Sequence, residues 1–164
     1  MNESTVAKLK KAALQVRMDC INIQKLVGSG HLGGSFSAVE LLVYLYFFRM
    51  RIDPQHPWAE ERDVFILSKG HASLGYYSVL ARRGFFSVDE LKTYRRINSR
   101  LQGHTQMDSA PGIECSSGSL GQGLSFGLGM ALGYKKRGLP NLVYVMVGDG
   151  ELQEGQNWEA FMFA

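Results

Sequence analysis

The segment that most constrains the fold is a short uncharged run that ends at an acidic turn. Residues 142–147 read LVYVMV, a run rich in β-branched residues, which is typical of a buried strand. Gly148, Asp149 and Gly150 follow at once. Because ligands of open α/β sheets gather at the carboxyl ends of the strands, this turn is a candidate binding site, with a plain turn as the alternative.

Helices alternate with uncharged strands along the chain. Apolar residues recur in steps of three and four from Val6 to Val27, which predicts an amphipathic helix that ends at Gly28. Residues 64–67 (VFIL) predict a buried strand, and a helix over about 71–83 follows it. This alternation predicts an α/β fold with a parallel sheet. Two strands are too few for an independent parallel sheet, so either further strands escape the pattern or the chain is incomplete.

Two S-x-x-E capping boxes mark further helices. Ser37 and Glu40 predict the start of a helix that runs to about Arg49. Ser87 and Glu90 repeat the pattern before a short basic helix. Further helices are predicted over about 120–137 and from about 157, and residues 98–118 are predicted as loop.

Composition excludes several classes of protein. The chain has 164 residues and a mass of 18.3 kDa, which predicts one domain over residues 1–164. The net charge is only +3, so no nucleic-acid partner is expected. One local group of basic residues is interpreted as a solvated helix face. That group comprises Arg82, Arg83, Lys92, Arg95, Arg96 and Arg100.

The cysteines and the apolar runs bear on the compartment. Cys20 and Cys115 form no CxxC pair, so neither a disulfide scaffold nor a zinc site is expected, and this usage suits a reducing cytosol. The N-terminus has no apolar core of the signal-peptide type. The longest apolar run, residues 39–48, includes Glu40 and is too short to span a bilayer. We therefore expect a cytoplasmic protein with no membrane partner.

Glycines near the end of the first helix match the sequence pattern of a dinucleotide-binding fingerprint, but not its structural context. Gly28, Gly30 and Gly33 have the G-x-G-x-x-G spacing. That fingerprint must follow a strand, because its turn aims the next helix at a pyrophosphate. Here it follows an amphipathic helix, so we interpret it as a helix stop and a flexible loop.

Three of the four histidines directly follow a glycine. They are His31, His71 and His104. Glycine lets the backbone approach a ligand closely, and imidazole exchanges a proton near neutral pH. These positions therefore favour a functional site over three ordinary polar residues. No two histidines have the i, i+3 or i+4 spacing of helical metal ligands, so a histidine metal site is not expected.

The acidic turn and a glycine-rich loop are the remaining candidates. Asp149 is a hard oxygen ligand suited to Mg²⁺ or Ca²⁺, and the flanking glycines would let a diphosphate reach the backbone amides. Glu151, Glu154 and Glu159 follow the turn and make the local field acidic, so an anion would need a cation to bind there. The polar loop 117–123 runs into a helix in which Gly129 and Gly133 are spaced for close packing.

Five motifs in this order resemble the N-terminal, diphosphate-binding domain of transketolase, over the whole chain. The sequences of these motifs are also similar to those of two-subunit transketolases, whose N-terminal half is a separate polypeptide. The motifs are SGHLG (29–33), LSKGHAS (67–73), GHT (103–105), GSLGQG (118–123) and GDGELQEG (148–155), with WEA (158–160) after the last.

The resemblance implies a three-layer fold, in which a parallel sheet has helices on both faces, here incomplete. It also implies thiamine diphosphate bound through a divalent ion, Mg²⁺ or Ca²⁺. Asp149 would be a ligand of that ion. Gly150 and His71 would contact the diphosphate.

The resemblance assigns the remaining site residues as well. The loop formed by Gly118, Ser119 and Leu120 would bind the cofactor, with the glycine and the leucine against its aminopyrimidine ring. His31 and His104 would face the thiazolium ring and the substrate hydroxyls, and they are implied as catalytic together with His71. Glu154 is implied as a further cofactor-binding residue, and it would reach across to the partner domain.

The implied reaction transfers a two-carbon ketol unit from a ketose phosphate to an aldose phosphate. The implied partner is a C-terminal subunit that carries the pyrimidine-binding domain, in a homodimer or a heterotetramer. The family has an asparagine metal ligand downstream of the acidic turn, and this chain ends at Ala164 without it. We therefore expect a truncated chain that is inactive alone. Leu32 and Ser119 stand where the family commonly has proline, a change that bears on substrate fit.

Two alternatives remain open. One is another thiamine diphosphate enzyme, such as deoxyxylulose-phosphate synthase or a 2-oxo-acid dehydrogenase component. The other is a non-catalytic fragment that serves as an assembly partner. The segments 68–71 and 103–104 favour transketolase, because both fit its pattern.

Overall fold

The computed structural model describes residues 1–164, which form two compact units. The first unit comprises Met1–Met50 and His71–Gly103, and the second comprises Arg51–Gly70 and His104–Ala164. The first contains α1 (Glu3–Val27), α2 (Leu32–Phe36), α3 (Val39–Tyr44) with a π-helical turn (Leu45–Arg49), α4 (Ser73–Arg83) and a 3₁₀ turn (Val88–Thr93). The second contains β1 (Val64–Leu67), α5 (Gln122–Lys136), β2 (Val143–Met146), a 3₁₀ turn (Gly150–Gln153) and α6 (Gly155–Phe163). A 3₁₀ turn (Gly70–Ala72) precedes α4.

Helix α1 confirms the prediction from periodicity. The Asn2 side chain caps it by accepting a hydrogen bond of 2.9 Å from the Thr5 amide, and Gly28 ends it with a φ of 74°. Its buried face packs on α3 and α4. A helix therefore does precede the G-x-G-x-x-G segment, as expected, and Gly28 is a helix stop. Burial raises the pKa of the Cys20 thiol on this face to about 11.

The capping box predicted at Ser37 is wrong. The Ser37 hydroxyl donates to the Gly34 carbonyl, and Ala38 occupies the N-cap of α3 without a side-chain hydrogen bond. The Glu40 carboxylate instead accepts two hydrogen bonds from the Arg17 guanidinium of α1. A short helix that the sequence pattern missed, α2, lies just before this point. Glu40, which the local pattern assigned to the capping box, therefore forms an ion pair with a residue distant in the sequence instead.

The second capping box is confirmed only at its first residue. The Ser87 hydroxyl accepts a hydrogen bond of 3.2 Å from the Asp89 amide, at the start of a 3₁₀ turn. Glu90 does not close the box, because its carboxylate accepts two hydrogen bonds from Arg100.

The basic group is not simply solvated. Arg82 donates two hydrogen bonds of 2.7 Å to the carboxylate of Asp19 on α1, which is buried. Arg83 donates to the Tyr46 carbonyl at 2.9 Å. These arginines thus tie α4 to other helices of the first unit, whereas Lys92 forms only an exposed pair.

The second unit is built on a parallel pair of strands. Strand β1 pairs with β2 in parallel, with Val64 opposite Val143 and Leu67 opposite Met146. Both predicted strands are confirmed, and β2 is one residue shorter at each end than the run 142–147. The α/β class with a parallel sheet is therefore confirmed. All four residues of β1 are buried.

A buried carboxylate fixes the start of this strand pair. Asp63 is 1% exposed, and its carboxylate accepts hydrogen bonds from the Arg51 guanidinium and from the amides of Arg51 and Leu142. Burial acts to raise the pKa of Asp63, but these hydrogen bonds outweigh it and lower the pKa. The ionised side chain thus joins the residue before β2 to the residue before β1.

Helix α5 packs against one face of the strand pair through glycines other than the predicted ones. A methyl group on Gly127 would collide with Val145, and one on Gly123 would collide with Ser68. Gly129 and Gly133 have nothing within 4 Å of the same position. Within this chain these two glycines therefore make no close packing contact. The core on this face comprises Val64, Ile66, Cys115, Met130, Tyr134, Val143 and Val145.

The remaining predictions along the second unit hold. Residues 98–118 contain no helix or strand, and α6 begins at Gly155, two residues before the predicted start. None of the helices is both long and apolar enough to cross a membrane.

We predict that Gly127→Ala lowers the free energy of unfolding by about 1–3 kcal/mol, because the added methyl overpacks the contact with Val145. Gly129→Ala on the same helix should raise it by about 0.5–1 kcal/mol, because the position is open and alanine favours a helix. Urea denaturation of both variants measures this difference. Equal effects would contradict the packing of α5 described above.

Candidate functional site

Two of the predicted site histidines lie together in the first unit. The ring centroids of His31 and His71 are 5.5 Å apart, with an edge-to-face angle of 67°. His31 stands at the N-cap position of α2, and His71 lies in the 3₁₀ turn before α4. A methyl group on Gly34 would come within 2.7 Å of the His71 ring, so this glycine gives the imidazole its space.

Arg95 is a residue of the same unit whose position the sequence interpretation missed. Its guanidinium approaches the Ser29 hydroxyl at 3.3 Å, just before His31 in the chain. A methyl group on Gly103 would come within 2.6 Å of the guanidinium. The glycine of the predicted Gly103-His104 motif therefore makes room for an arginine. Composition placed Arg95 on a solvated face, and no sequence signal distinguished it from its basic neighbours.

The carboxyl edge of the strand pair carries the acidic turn. Because β1 and β2 are parallel, Ser68 and Lys69 leave the sheet at the same edge as Gly148 and Asp149. The Asp149 residue is exposed, and a methyl group on Gly150 would have nothing within 4 Å. The backbone of this turn is thus open to a ligand.

Lys69 adds a positive charge to this edge. It is 9% exposed, and burial lowers the pKa of its ammonium group, while the charges of Asp149 and Glu151 act to raise it. The positive charge of Lys69 can attract a bound anion, and the negative charge of Asp149 can attract a metal ion that is bound with that anion. The sequence motif contained Lys69, but its role was not predicted.

The buried carboxylate of Glu151 is hydrogen-bonded to three segments around the acidic turn. Its side chain is nearly fully buried, and its carboxylate accepts hydrogen bonds from the Ser68 hydroxyl, from the Gly121 amide at 2.9 Å and from the Gly148 amide at 2.8 Å. Sequence reasoning counted Glu151 only as part of an acidic field. Its burial could not be read from the local sequence, because it depends on donors from segments distant in the chain.

The glycine-rich loop before α5 is shaped by positive φ angles. Gly118 has a φ of 142° and lies against the His104 ring, with its absent methyl position 3.4 Å from the imidazole. Gly121 has a φ of 87°, and a methyl group there would come within 2.8 Å of Glu154. The loop therefore brings together the predicted site residues Gly118 and His104, and its Gly121 lies against the predicted site residue Glu154. Ser119 and Leu120, between these glycines, are exposed and half-buried respectively.

Metal-ligating side chains are few. No group of three or more histidine, cysteine, aspartate or glutamate side chains could hold a metal ion. Asp149 is the exposed carboxylate at the carboxyl edge, and it can supply one oxygen ligand.

Open glycine turns at the carboxyl edge of a parallel sheet, with helices packed beside it, are typical of α/β domains that bind cofactors. The family model described as "Transketolase, thiamine diphosphate binding domain" matches residues 8–164. The chain belongs to this family, as the resemblance of its motifs predicted.

Curated relatives are named as subunits of transketolases. A 6-deoxy-6-sulfo-D-fructose transketolase subunit from Clostridium sp. (strain MSTE9) is 44% identical over 164 residues, which cover 100% of this chain and 59% of that protein. One subunit of the apulose-4-phosphate transketolase from Actinobacillus succinogenes is 42% identical over 155 residues, which cover 94% of this chain and 56% of that protein. The chain thus spans somewhat more than half the length of these relatives.

A solved structure confirms the fold. Transketolase from Campylobacter jejuni superposes with a TM-score of 0.89 at 30% sequence identity. The superposition covers 100% of this chain and 26% of that protein.

We predict that Gly118→Ala lowers the free energy of unfolding by about 1–3 kcal/mol, because a side chain at a φ of 142° is strained. Ser119→Ala, on the exposed neighbour, should change it by less than about 0.5 kcal/mol. Thermal or urea unfolding checks both. A Gly118 variant as stable as the Ser119 variant would show that the loop conformation is not constrained.

Proposed function

We propose that this chain supplies the thiamine diphosphate-binding part of a transketolase. The reaction transfers a two-carbon ketol unit from a ketose phosphate to an aldose phosphate. One observation carries the proposal: the carboxyl edge of the strand pair presents the carboxylate of Asp149, the ammonium of Lys69 and the open backbone of Gly150. This donor set fits a diphosphate that is bound together with a divalent cation.

Asp149 is the proposed metal ligand, and Mg²⁺ or Ca²⁺ is the proposed ion. A carboxylate is the oxygen donor that these hard cations prefer. Glu151 and Glu154 follow within five residues of Asp149, so a free diphosphate would be repelled there unless a cation neutralised part of its charge. Lys69 contributes further positive charge to the same edge.

The proposed cofactor contacts extend to the loop before α5 and to one histidine. The backbone of Gly150 and the ring of His71 would contact the diphosphate. Gly118 and Leu120 would lie against the aminopyrimidine ring, with Ser119 between them. The exposure of Gly118 supports this role, because a flat ring can approach an exposed glycine backbone closely.

The histidines are the proposed catalytic residues. When bound, thiamine diphosphate supplies an electron sink for the two-carbon unit. His31, His71 and His104 would hold and transfer protons at the substrate hydroxyls, since an imidazole ring can both donate and accept a proton. The contact between the rings of His31 and His71 lets one imidazole orient the other. Together they would also limit the access of water to the reacting carbon.

The relatives' names support a substrate class and a partner. They name 6-deoxy-6-sulfo-D-fructose and apulose-4-phosphate, so we propose a sugar with an anionic terminal group. They also name subunits, so we propose a partner subunit with the pyrimidine-binding domain, in a homodimer or a heterotetramer. Both cysteines are free thiols, in keeping with a reducing cytoplasm.

We predict that Asp149→Asn weakens metal-dependent binding of thiamine diphosphate by at least about tenfold, because an amide is a poorer ligand for Mg²⁺ than a carboxylate. Calorimetric titration of the cofactor in the presence of Mg²⁺ measures this in the native assembled protein. Gln153→Ala, on an exposed residue of the same turn, is the control and should bind like the wild type. Binding that is unaffected by Asp149→Asn would contradict the metal assignment.

We predict that the protein, assembled with its partner subunit, transfers a ketol unit from a ketose phosphate to an aldose phosphate. His31→Ala and His104→Ala should each lower kcat by about 10²-fold or more, since each removes a proton-transfer group. The measurement is product formation with a ketose phosphate or with pyruvate as donor. Turnover of pyruvate and none of the ketose phosphate would favour another class of thiamine diphosphate enzyme.

A further inference from the structure

The buried carboxylate of Glu151 lies at the centre of the candidate cofactor edge and is almost closed off from solvent. It is 3% exposed. One of its oxygens accepts from the Ser68 hydroxyl and the Gly121 amide, and the other accepts from the Gly148 amide. Three separate segments thus donate to one side chain: the residue after β1, the residue before α5 and the turn after β2.

The hydrogen bonds continue beyond the carboxylate in both directions. The Gly123 amide, in the first turn of α5, donates to the Ser68 hydroxyl at 3.1 Å, and this hydroxyl donates to Glu151. The Glu151 carbonyl accepts from the Asn157 side chain of α6 at 2.6 Å. The fully buried Asn157 therefore fixes the backbone of Glu151, while the carboxylate fixes the loops.

A carboxylate suits this position and its amide analogue does not. Every partner of the two side-chain oxygens is a donor. A glutamine has one oxygen and one NH₂ group, so its NH₂ would face an N–H of Gly121 or Gly148. The donor left without an acceptor would be buried, which is costly.

The strand pair offers an internal comparison at its opposite edge. Asp63 accepts from Arg51 and from the Leu142 amide, and so joins the two strands where they begin. Glu151 joins Ser68 and Gly148, and so joins them where they end. Both acids stabilise the same sheet, but only Glu151 lies beside the turn that contains Asp149.

We propose that Glu151 is a positioning residue that holds the 148–150 turn and the 118–121 loop in the arrangement that binds metal and diphosphate. This inference rests on the proposed function, because it assumes that these loops bind thiamine diphosphate. Glu151 itself touches neither metal nor cofactor. It acts by fixing the backbone amide before Asp149 and the backbone amide that begins α5.

The test is calorimetric titration of thiamine diphosphate with saturating Mg²⁺ on the complete native protein, assembled with its partner subunit. For Glu151→Gln we expect the Kd to rise by about 10–100-fold, the range typical when a residue that orients a metal site is changed. The number of sites should stay at the wild-type value. A merely structural role would lower the number of sites, through loss of folded protein, and leave the Kd unchanged. That result would overturn the proposal.

Two further variants separate positioning from stability and from charge. Asp63→Asn breaks the matching network at the other edge, so it should lower the melting temperature and leave the Kd at the wild-type value. Ser68→Ala keeps the charge of Glu151 but removes one donor, so it should also raise the Kd, by less than Glu151→Gln. A wild-type Kd for Ser68→Ala would mean that the charge of Glu151 acts alone, and an equal rise for Asp63→Asn would mean a general loss of stability. Either result overturns the proposal.

The wild-type titration keeps this inference distinct from the proposed function. No metal-dependent binding by the wild-type assembly would contradict the proposed function itself. Tight binding by the wild type together with unchanged binding by Glu151→Gln would contradict only the positioning role.

Discussion

The parallel pairing of β1 with β2 is the constraint on which the second unit depends. Because the two strands are parallel and in register, the residues that follow each strand lie at the same end of the sheet. Ser68 and Lys69 therefore emerge beside Gly148 and Asp149. An antiparallel pair would put these segments at opposite ends of the sheet. The buried cation, the exposed carboxylate and the open glycine backbone are brought together by strand direction, before any side chain makes a contact.

Two buried carboxylates stabilise that pairing at its two edges. Asp63 and Glu151 are almost fully buried, and each accepts backbone and side-chain hydrogen bonds that join the strands. Burying a carboxyl group is costly unless its oxygens are hydrogen-bonded, so each of these side chains depends on its donors. The two strands, of four residues each, are thus joined by polar networks at both ends as well as by their backbone pairing. A binding turn needs such support from the hydrogen bonds around it.

The sequence predictions were accurate where a structure depends on neighbouring residues and failed where it depends on residues far apart in the sequence. Helix α1 and strand β1 were predicted closely, because their hydrophobic patterns are local and unambiguous. The capping boxes failed at their glutamates, because Glu40 and Glu90 pair with arginines far away in the sequence. Glycine spacing predicted that α5 packs closely, but only the sheet decides which of its glycines face a neighbour.

The sequence by itself determined the α/β class, the family and the order of the glycine-histidine and glycine-aspartate motifs, because periodicity and short motifs are properties of neighbouring residues. Only the tertiary structure showed that the rings of His31 and His71 meet, that Arg95 approaches Ser29, and that Glu151 joins three loops. The physical reason is that burial and hydrogen-bond geometry depend on residues distant in the chain. No local pattern distinguishes a buried glutamate that accepts three hydrogen bonds from an exposed one.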